Sequence, residues 1–270
     1  MKKKNQKNNV VHMANIHDTA VISSGAKIEK DVEIGPYAVI GENVEIGEGT
    51  TIGPHVVIDG WTKIGKNNKF FTGASVGLEP QDLKFDGEES YLTIGDNNTI
   101  REYATIHRGT ENGGGETRVG NNNLIMAYCH IAHDCQLGDN IVMSNAANLA
   151  GHVLVEDSAV ITGLTGVHQF VRIGKMAMVG ANSKVVKDVP PYILVDGRPA
   201  SVNGINVVGL RRNGVTPELR KEIKRAYKYL YRSNNNVSQA IEKMEQELDS
   251  SPEIEHFLRF LRNAQRGICR

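Results

Sequence analysis

The chain is poor in several things that would each point somewhere. Cysteine occurs three times in 270 residues, at Cys129, Cys135 and Cys269. An odd, scattered set of this kind fits neither a disulfide framework nor a paired CxxC metal site, so a reducing compartment and a cytoplasmic location are expected. Net charge is lacking too: 31 Lys and Arg balance 31 Asp and Glu. No global field then favours nucleic acid or a membrane surface, and electrostatic partners must be read from local clusters. No run approaches the ~18 apolar residues of a membrane span, so no integral membrane segment is expected. The opening MKKKNQKNNVVHMAN carries the charges of a signal peptide without the apolar run that should follow. Residues 1–13 therefore read as a loose tail with no assigned role. An apolar content of 40% still suffices for a real core, which excludes disorder.

What the sequence does have is a period of six. Aliphatic or aromatic residues recur at Ile16, Ile22, Ile28 and every sixth position through Ile64, Phe70 and Val76; at Ile94, Ile100 and Ile106; and from Val119 through Ile131, Leu149 and Val167 to Val185. A helix cannot use this period, because six residues turn it by ~600° and smear the stripe around the cylinder. Short strands can. Two positions before the aliphatic residue stands a small or branched one (Ala38, Val44, Thr50, Val56, Thr62), and alternation puts both on the inner face. Three hexads make a triangular coil of 18 residues, and the 26 hexads make roughly nine stacked coils. Gly35, Gly41, Gly47, Gly53 and Gly65 follow repeat positions directly and are expected to relieve tight corners. The period does not fix the hand; the general preference for right-handed crossovers would favour a right-handed coil.

Residues 14–190 thus form a parallel β-helix, with loops expected at 77–93 and 107–118. In the first, Asp82 and Glu88 fall on repeat positions, so the segment cannot pack as a coil; in the second, the spacing is 13 and HRGTENGGGETR marks a flexible loop. Beyond Asp188-Val-Pro-Pro191, residues 191–270 read as a small helical domain. Three helices are predicted from about residue 216: one behind Thr216-Pro217, one over Val237–Leu248, and one behind Ser251-Pro252.

Four of the nine histidines, His130, His133, His152 and His168, fall in the last hexad run. Coil stacking can bring His133 near His152, 19 residues on. Asp134 beside His133 could raise its basicity and fix its tautomer, giving a general base, provided that the pair sits at a corner. Two other readings compete: solvated polar corners, and a three-imidazole zinc site of His130, His133 and His152 as in solenoid carbonic anhydrases. Arg211 to Arg232 carries eight Lys or Arg against Glu218 and Glu222. It is either a docking surface for something acidic, carrier protein or nucleotide, or a solvated helix face.

The hexads, with QDLK at 81–84, TIHRGT at 105–110, HIAHDC at 130–135, LAGH at 149–152, VHQF at 167–170, DVPPY at 188–192 and GLRR at 209–212, resemble the UDP-N-acetylglucosamine O-acyltransferases of lipid A biosynthesis. The resemblance runs from about residue 14 to the end. It implies a homotrimer of left-handed β-helices with sites between subunits, using an acyl carrier protein as donor and UDP-N-acetylglucosamine as acceptor, with no metal or cofactor. By the same resemblance, His133 is the general base held by Asp134, and the Gly151 amide is the oxyanion donor. Asp82, Lys84, His130, His152, His168 and Gln169 bind sugar, nucleotide or acyl-pantetheine, and Asn206 and Arg212 contact nucleotide or carrier arm. Ala181 matches a position that sets acyl-chain length, and alanine there implies a medium to long, 3-hydroxylated chain. A 3-hydroxyl or a 3-amino group on the glucosamine fits these residues. A hexapeptide acetyltransferase using acetyl-CoA and a non-catalytic scaffold are the alternatives.

Overall fold

The computed structural model describes residues 14–270; the expected tail, 1–13, lies outside them. Each of the 26 repeat positions falls in a short strand, most of them two residues long. Strands three apart in sequence pair in parallel, stacking into three flat faces. The first face carries Ile34, Ile52, Phe70, Ile100 and Ile125. The second carries Ile40, Ile58, Val76, Ile106, Ile131, Leu149, Val167 and Val185. The third carries Ile46, Ile64, Ile94, Val119, Leu137, Val155 and Ile173. The result is a left-handed parallel β-helix. Its repeat side chains from Ile34 to Val185 are at most 4% exposed, and burying each stabilises by about 1.5–3 kcal/mol. Ala38, Val44, Thr50, Val56 and Thr62 are equally buried beside them.

The corners have a rule of their own. Three positions before a repeat residue the backbone enters the left-handed region, and the residue there is usually not glycine: Asn67, Asn97, Asn122, Tyr103, Tyr128, Asp134, His152 and Phe170 all have φ between +55° and +64°. The glycines that follow repeat positions serve a different end from the one expected. Gly35, Gly41, Gly47, Gly53 and Gly65 do not have positive φ. A Cβ on Gly47 would lie 2.6 Å from the Gly65 carbonyl carbon, and one on Gly53 2.9 Å from the Phe70 carbonyl oxygen. These glycines let one coil approach the next, and the corner torsion is carried elsewhere.

A normal coil takes 18 residues, as from Ile34 to Ile52, but 30 from Ile64 to Ile94 and 25 from Ile94 to Val119. The extra residues leave between the strands Ser75–Leu78 and Tyr91–Ile94, and between Thr105–His107 and Glu116–Val119. Both insertions are therefore a little shorter than expected, and both leave at the corner between the second and third faces.

The segment after the coil is not helical from its start. Ile193–Gly197 adds a parallel strand to the first face, and Ala200–Ile205 turns back antiparallel on it. Four helices follow: α1 (Val207–Arg212), α2 (Pro217–Tyr231), α3 (Val237–Glu247) and α4 (Pro252–Arg262). The predicted three correspond to α2–α4, with Thr216 and Ser251 as N-caps before Pro217 and Pro252. The hairpin and α1 were not expected. Helix α4 docks on the third face, where Arg172 lies 4.4 Å from the centre of the Phe260 ring and His256 Nε2 lies 2.7 Å from Glu156 Oε2.

Candidate active site

Because the corner between the second and third faces repeats every coil, residues 133–134, 151–152 and 169–170 stack along one edge. Asp134 takes the left-handed corner torsion, so its side chain and that of His133 converge instead of pointing to opposite faces. His133 Nδ1 lies 2.7 Å from Asp134 Oδ2, and the carboxylate is fully buried. In the next coil His152 meets the His133 ring edge-on at 5.1 Å, its Nδ1 3.7 Å from the same Oδ2. Phe170, one coil further, stacks on His152 at 4.4 Å.

The electrostatics separate the histidines. The hydrogen bond to Asp134 raises the His133 imidazole above its usual range, against a smaller opposing effect of burial; Asp134 and Asp82 act in the same direction through their charge. Burial lowers His152 and His130. It pushes His107 down to about 4, with neighbouring His130 and His133 adding to the effect. Burial alone would push the Asp134 carboxyl up, but hydrogen bonds from His133 and from the amide and hydroxyl of Thr110 hold it below the carboxylate range. One base is thus strengthened among three weakened imidazoles. Ligand atoms of His133, Asp134 and His152 lie within 4.8 Å of one another. This is not the His130–His133–His152 set weighed for zinc, and one of its members is already hydrogen-bonded to another.

A groove of about 590 Å³ runs from this dyad along the outer side of the second face. It is lined by His130, His133, Gly151, His168 and Gln169, with Gln81 from the first insertion and Lys184 and Val186 at the far end. His130 is oriented by Thr105 Oγ1, 2.7 Å from its Nδ1. His168 and Gln169 are exposed, and His168 Nδ1 lies 3.1 Å from the Gln169 carbonyl. Gly151 faces the His133 ring so closely that a Cβ would lie 2.6 Å from its Cε1. Among the described residues no carbonyl accepts the Gly151 amide hydrogen.

The other residues singled out in the sequence are less tightly gathered. Asp82 sits in the first insertion, where it accepts the Lys84 amide at 3.1 Å and influences His133 by charge; the exposed Lys84 side chain does not line the groove. Ala181 is an exposed corner residue leading into the strand Lys184–Val185. Asn206 is buried and does structural duty, accepting the Gly209 amide as N-cap of α1 and donating to the Met176 carbonyl at 2.9 Å. Arg212 is exposed at the end of α1, away from the groove lining. Sequence reasoning missed His107, Thr110, Thr117 and Phe170, though TIHRGT and VHQF contain three of them.

Known proteins share this fold. The hexapeptide repeat of bacterial transferases matches residues 13–47, 25–60 and 116–151, and the second domain of UDP-N-acetylglucosamine O-acyltransferase matches 188–269. The acyl-[acyl-carrier-protein]–UDP-N-acetylglucosamine O-acyltransferase of Thiobacillus denitrificans is 51% identical over 96% of this chain and all of its own length. The chain belongs to the UDP-N-acetylglucosamine O-acyltransferase family. Solved members of this acyltransferase family superpose closely. The Francisella novicida enzyme has a TM-score of 0.91 at 46% identity, covering 94% of both chains. The Acinetobacter baumannii enzyme has a TM-score of 0.92 at 44% identity, covering 94% of this chain and 99% of its own. Membership explains why hexads, insertions and C-terminal helices occur together here. It favours neither the acetyl-CoA nor the scaffold alternative.

Proposed function

We propose that this protein transfers a 3-hydroxyacyl chain from an acyl carrier protein to the glucosamine 3-hydroxyl of UDP-N-acetylglucosamine, the first step of lipid A biosynthesis. The observation that carries the reading is a buried carboxylate–imidazole pair opening onto an apolar groove, in a chain of this family. Asp134 engages Nδ1 of His133, which leaves Nε2 free for the acceptor. Nε2 takes the proton of the 3-hydroxyl as its oxygen attacks the thioester carbonyl. The carbonyl oxygen becomes an oxyanion that the free Gly151 amide can stabilise. Collapse of the tetrahedral intermediate breaks the C–S bond, and His133 returns its proton to the departing thiolate. The thioester brings its own activation, so position, base and oxyanion donor suffice.

Gly166 supports the second face as the acyl groove. It stands in the outward file of His130, Asn148 and Lys184, has no positive φ, and a Cβ there would meet nothing within 4 Å. The fold does not need glycine at that point, yet the absent side chain keeps the groove floor open. Asp82, Lys84, His130, His152, His168 and Gln169 bind the substrates around the dyad, and Asn206 and Arg212 contact nucleotide or carrier arm, with Asn206 also holding α1 in place. Ala181 borders the end of the groove. A homotrimer completes each site. It is supported by Leu83, which is wholly exposed on the first insertion, and by exposed Val21, Tyr37, Tyr103, Tyr128 and Leu164. The buried free thiols of Cys129, Cys135 and Cys269 suit the cytoplasm.

The test is turnover of radiolabelled UDP-N-acetylglucosamine with a panel of 3-hydroxyacyl carrier proteins, with acetyl-CoA in parallel. Labelled lipid-like product from the carrier proteins alone is expected, and the panel gives the chain length. Product from acetyl-CoA alone, or acylation only of a 3-amino acceptor, overturns the reading.

A further inference from the structure

The second insertion closes over the one group on which the proposed base depends. Thr110 is 3% exposed. Its amide donates to Asp134 Oδ1 at 2.8 Å and its hydroxyl to Oδ2 at 2.7 Å, the oxygen that also holds His133 Nδ1. The Asp134 amide in turn donates to Thr117 Oγ1 at 2.7 Å, in the strand Glu116–Val119 just past the insertion. Between them, Glu111–Gly113 forms a single 3₁₀ turn, and the Gly113 and Gly115 amides close back on the Thr110 carbonyl. Gly113 lies flat against the carboxylate, where any Cβ would collide with it. The insertion thus excludes water from Asp134 and replaces that water with two fixed donors.

We propose that the loop 108–115 is a cap that sets the strength of the His133–Asp134 dyad, with Thr110 as its positioning residue. This rests on His133 being the general base. Donors on a carboxylate share out its charge and make it a weaker acceptor for any one partner. With Thr110 in place, Asp134 holds His133 firmly but does not drive its basicity as far as a bare buried carboxylate would. Remove the hydroxyl and Oδ2 turns wholly to His133, stabilising the imidazolium. The base is active when neutral, so activity rises with pH through the imidazole pKa, and a stronger dyad moves that rise to higher pH. The other charged or titratable groups that act on the dyad are Asp82 from the first insertion, His152 from the next coil, and His107 and His130 from its own side. None of them is altered by substitution at Thr110.

The experiment is the pH dependence of kcat/KM for Thr110→Val and Thr110→Ser, with His133→Ala as the control on the base itself. For Thr110→Val the acidic limb is expected to move up by about half a unit to one unit, with a loss of up to about 3- to 10-fold at pH 7, while Thr110→Ser restores both. A merely structural threonine would lower the rate without moving the limb, and that result overturns the cap. So does a Val variant that is unchanged throughout. If His133→Ala keeps its turnover, the base assignment fails instead, and the two failures are told apart. Thermal melting of each variant keeps a folding defect from being read as a shift of the limb.

Discussion

Two corners of the same solenoid show what the repeat supplies and what it leaves open. At the corner before the first face, the left-handed position is taken by Asn67, Asn97, Asn122 and Asn140 in the middle of the stack, and by Asp31, Gly49, Ser158 and Met176 toward its ends. Asparagine tolerates that torsion better than most residues, where others cost about 1–2 kcal/mol. The next residue points inward and builds a ladder: the Asn98 amide donates to Asn68 Oδ1, Asn123 to Asn98 Oδ1, and Ile141 to Asn123 Oδ1, at 2.7–2.9 Å. At the corner before the third face the same torsion falls on Asp134, His152 and Phe170, and the inward ladder is replaced by Cys135 and Val153. The first corner spends its polar atoms on holding coils together. The second turns them outward, carries both insertions, and seats Asp134, His152 and Phe170 at φ above zero. A repeat of this kind offers the same scaffold at every corner, so chemistry can be placed at one of them without disturbing the stack.

The sharpest way to break the contrast is to strip each corner in turn. With His133 as the proposed base, His133→Ala should lower turnover by about 10²–10⁴ and leave the thermal melt in place. Asn123→Ala should do the reverse. It strands the buried Ile141 amide and the Gly138 carbonyl, which the side chain meets at 2.7 and 3.0 Å, at a cost of about 2–4 kcal/mol. Rate per folded molecule at a permissive temperature should stay near wild type. If both variants lost stability alike, the two corners would not be divided in the way described.

Acid offers a second way to separate them, because a buried imidazole stands beside the second corner and, among the described residues, none stands at the first. His107, buried beside His130, has its pKa pushed down to about 4. A histidine whose folded pKa lies below its unfolded value takes up its proton more readily unfolded. Its contribution is therefore intact above about pH 6.5 and is lost as pH falls from there toward 4. At pH 5 the loss amounts to about 2 kcal/mol. Melting temperatures measured from pH 7.5 to 5 should fall more steeply for wild type than for His107→Asn. Parallel slopes would mean that His107 is not held neutral by its surroundings.

Much of this was legible beforehand, and the rest was hidden for particular reasons. Every strand of the coil falls on a repeat residue, because a period of six admits one packing. The nearness of His133 to His152 followed from the coil length, and its pairing with Asp134 from adjacency at a corner. The left-handed torsion was hidden because it falls on residues as varied as Asn, Tyr, Asp, His, Phe, Ala, Ser, Leu and Met, of which the asparagines hint at it most. Glycine drew attention to the position after the repeat, where the pressure is from the neighbouring coil. Thr110 escaped because it is 24 residues before Asp134, and the insertion between them destroys the 18-residue register by which partners can be counted. The hairpin Ile193–Ile205 was missed because only Ile193 and Val195 are deeply buried in its first strand, and no repeat residue marks it. The capping role of Asn206 was hidden because α1, the helix it caps, was itself not expected.

The smallest expected effect lies outside both corners, on α2, and asks whether chemistry at the corner is separable from recruitment. Lys221, Lys224 and Lys228 are exposed and spaced to share one side of the helix, whereas Arg225 is already engaged by Glu222 and the Glu247 carbonyl. Three exposed cations so placed suit an acidic carrier protein, whose docking they would steer without touching the reacting atoms. Single Lys→Glu changes should raise KM for the acyl carrier protein by about 3- to 10-fold with kcat unchanged, and the effect should shrink at 0.5 M salt as the charges are screened. KM for UDP-N-acetylglucosamine should not move. If it is the nucleotide KM that rises, the helix serves the acceptor; if neither moves, the cluster is a solvated face and docking falls to the coil itself.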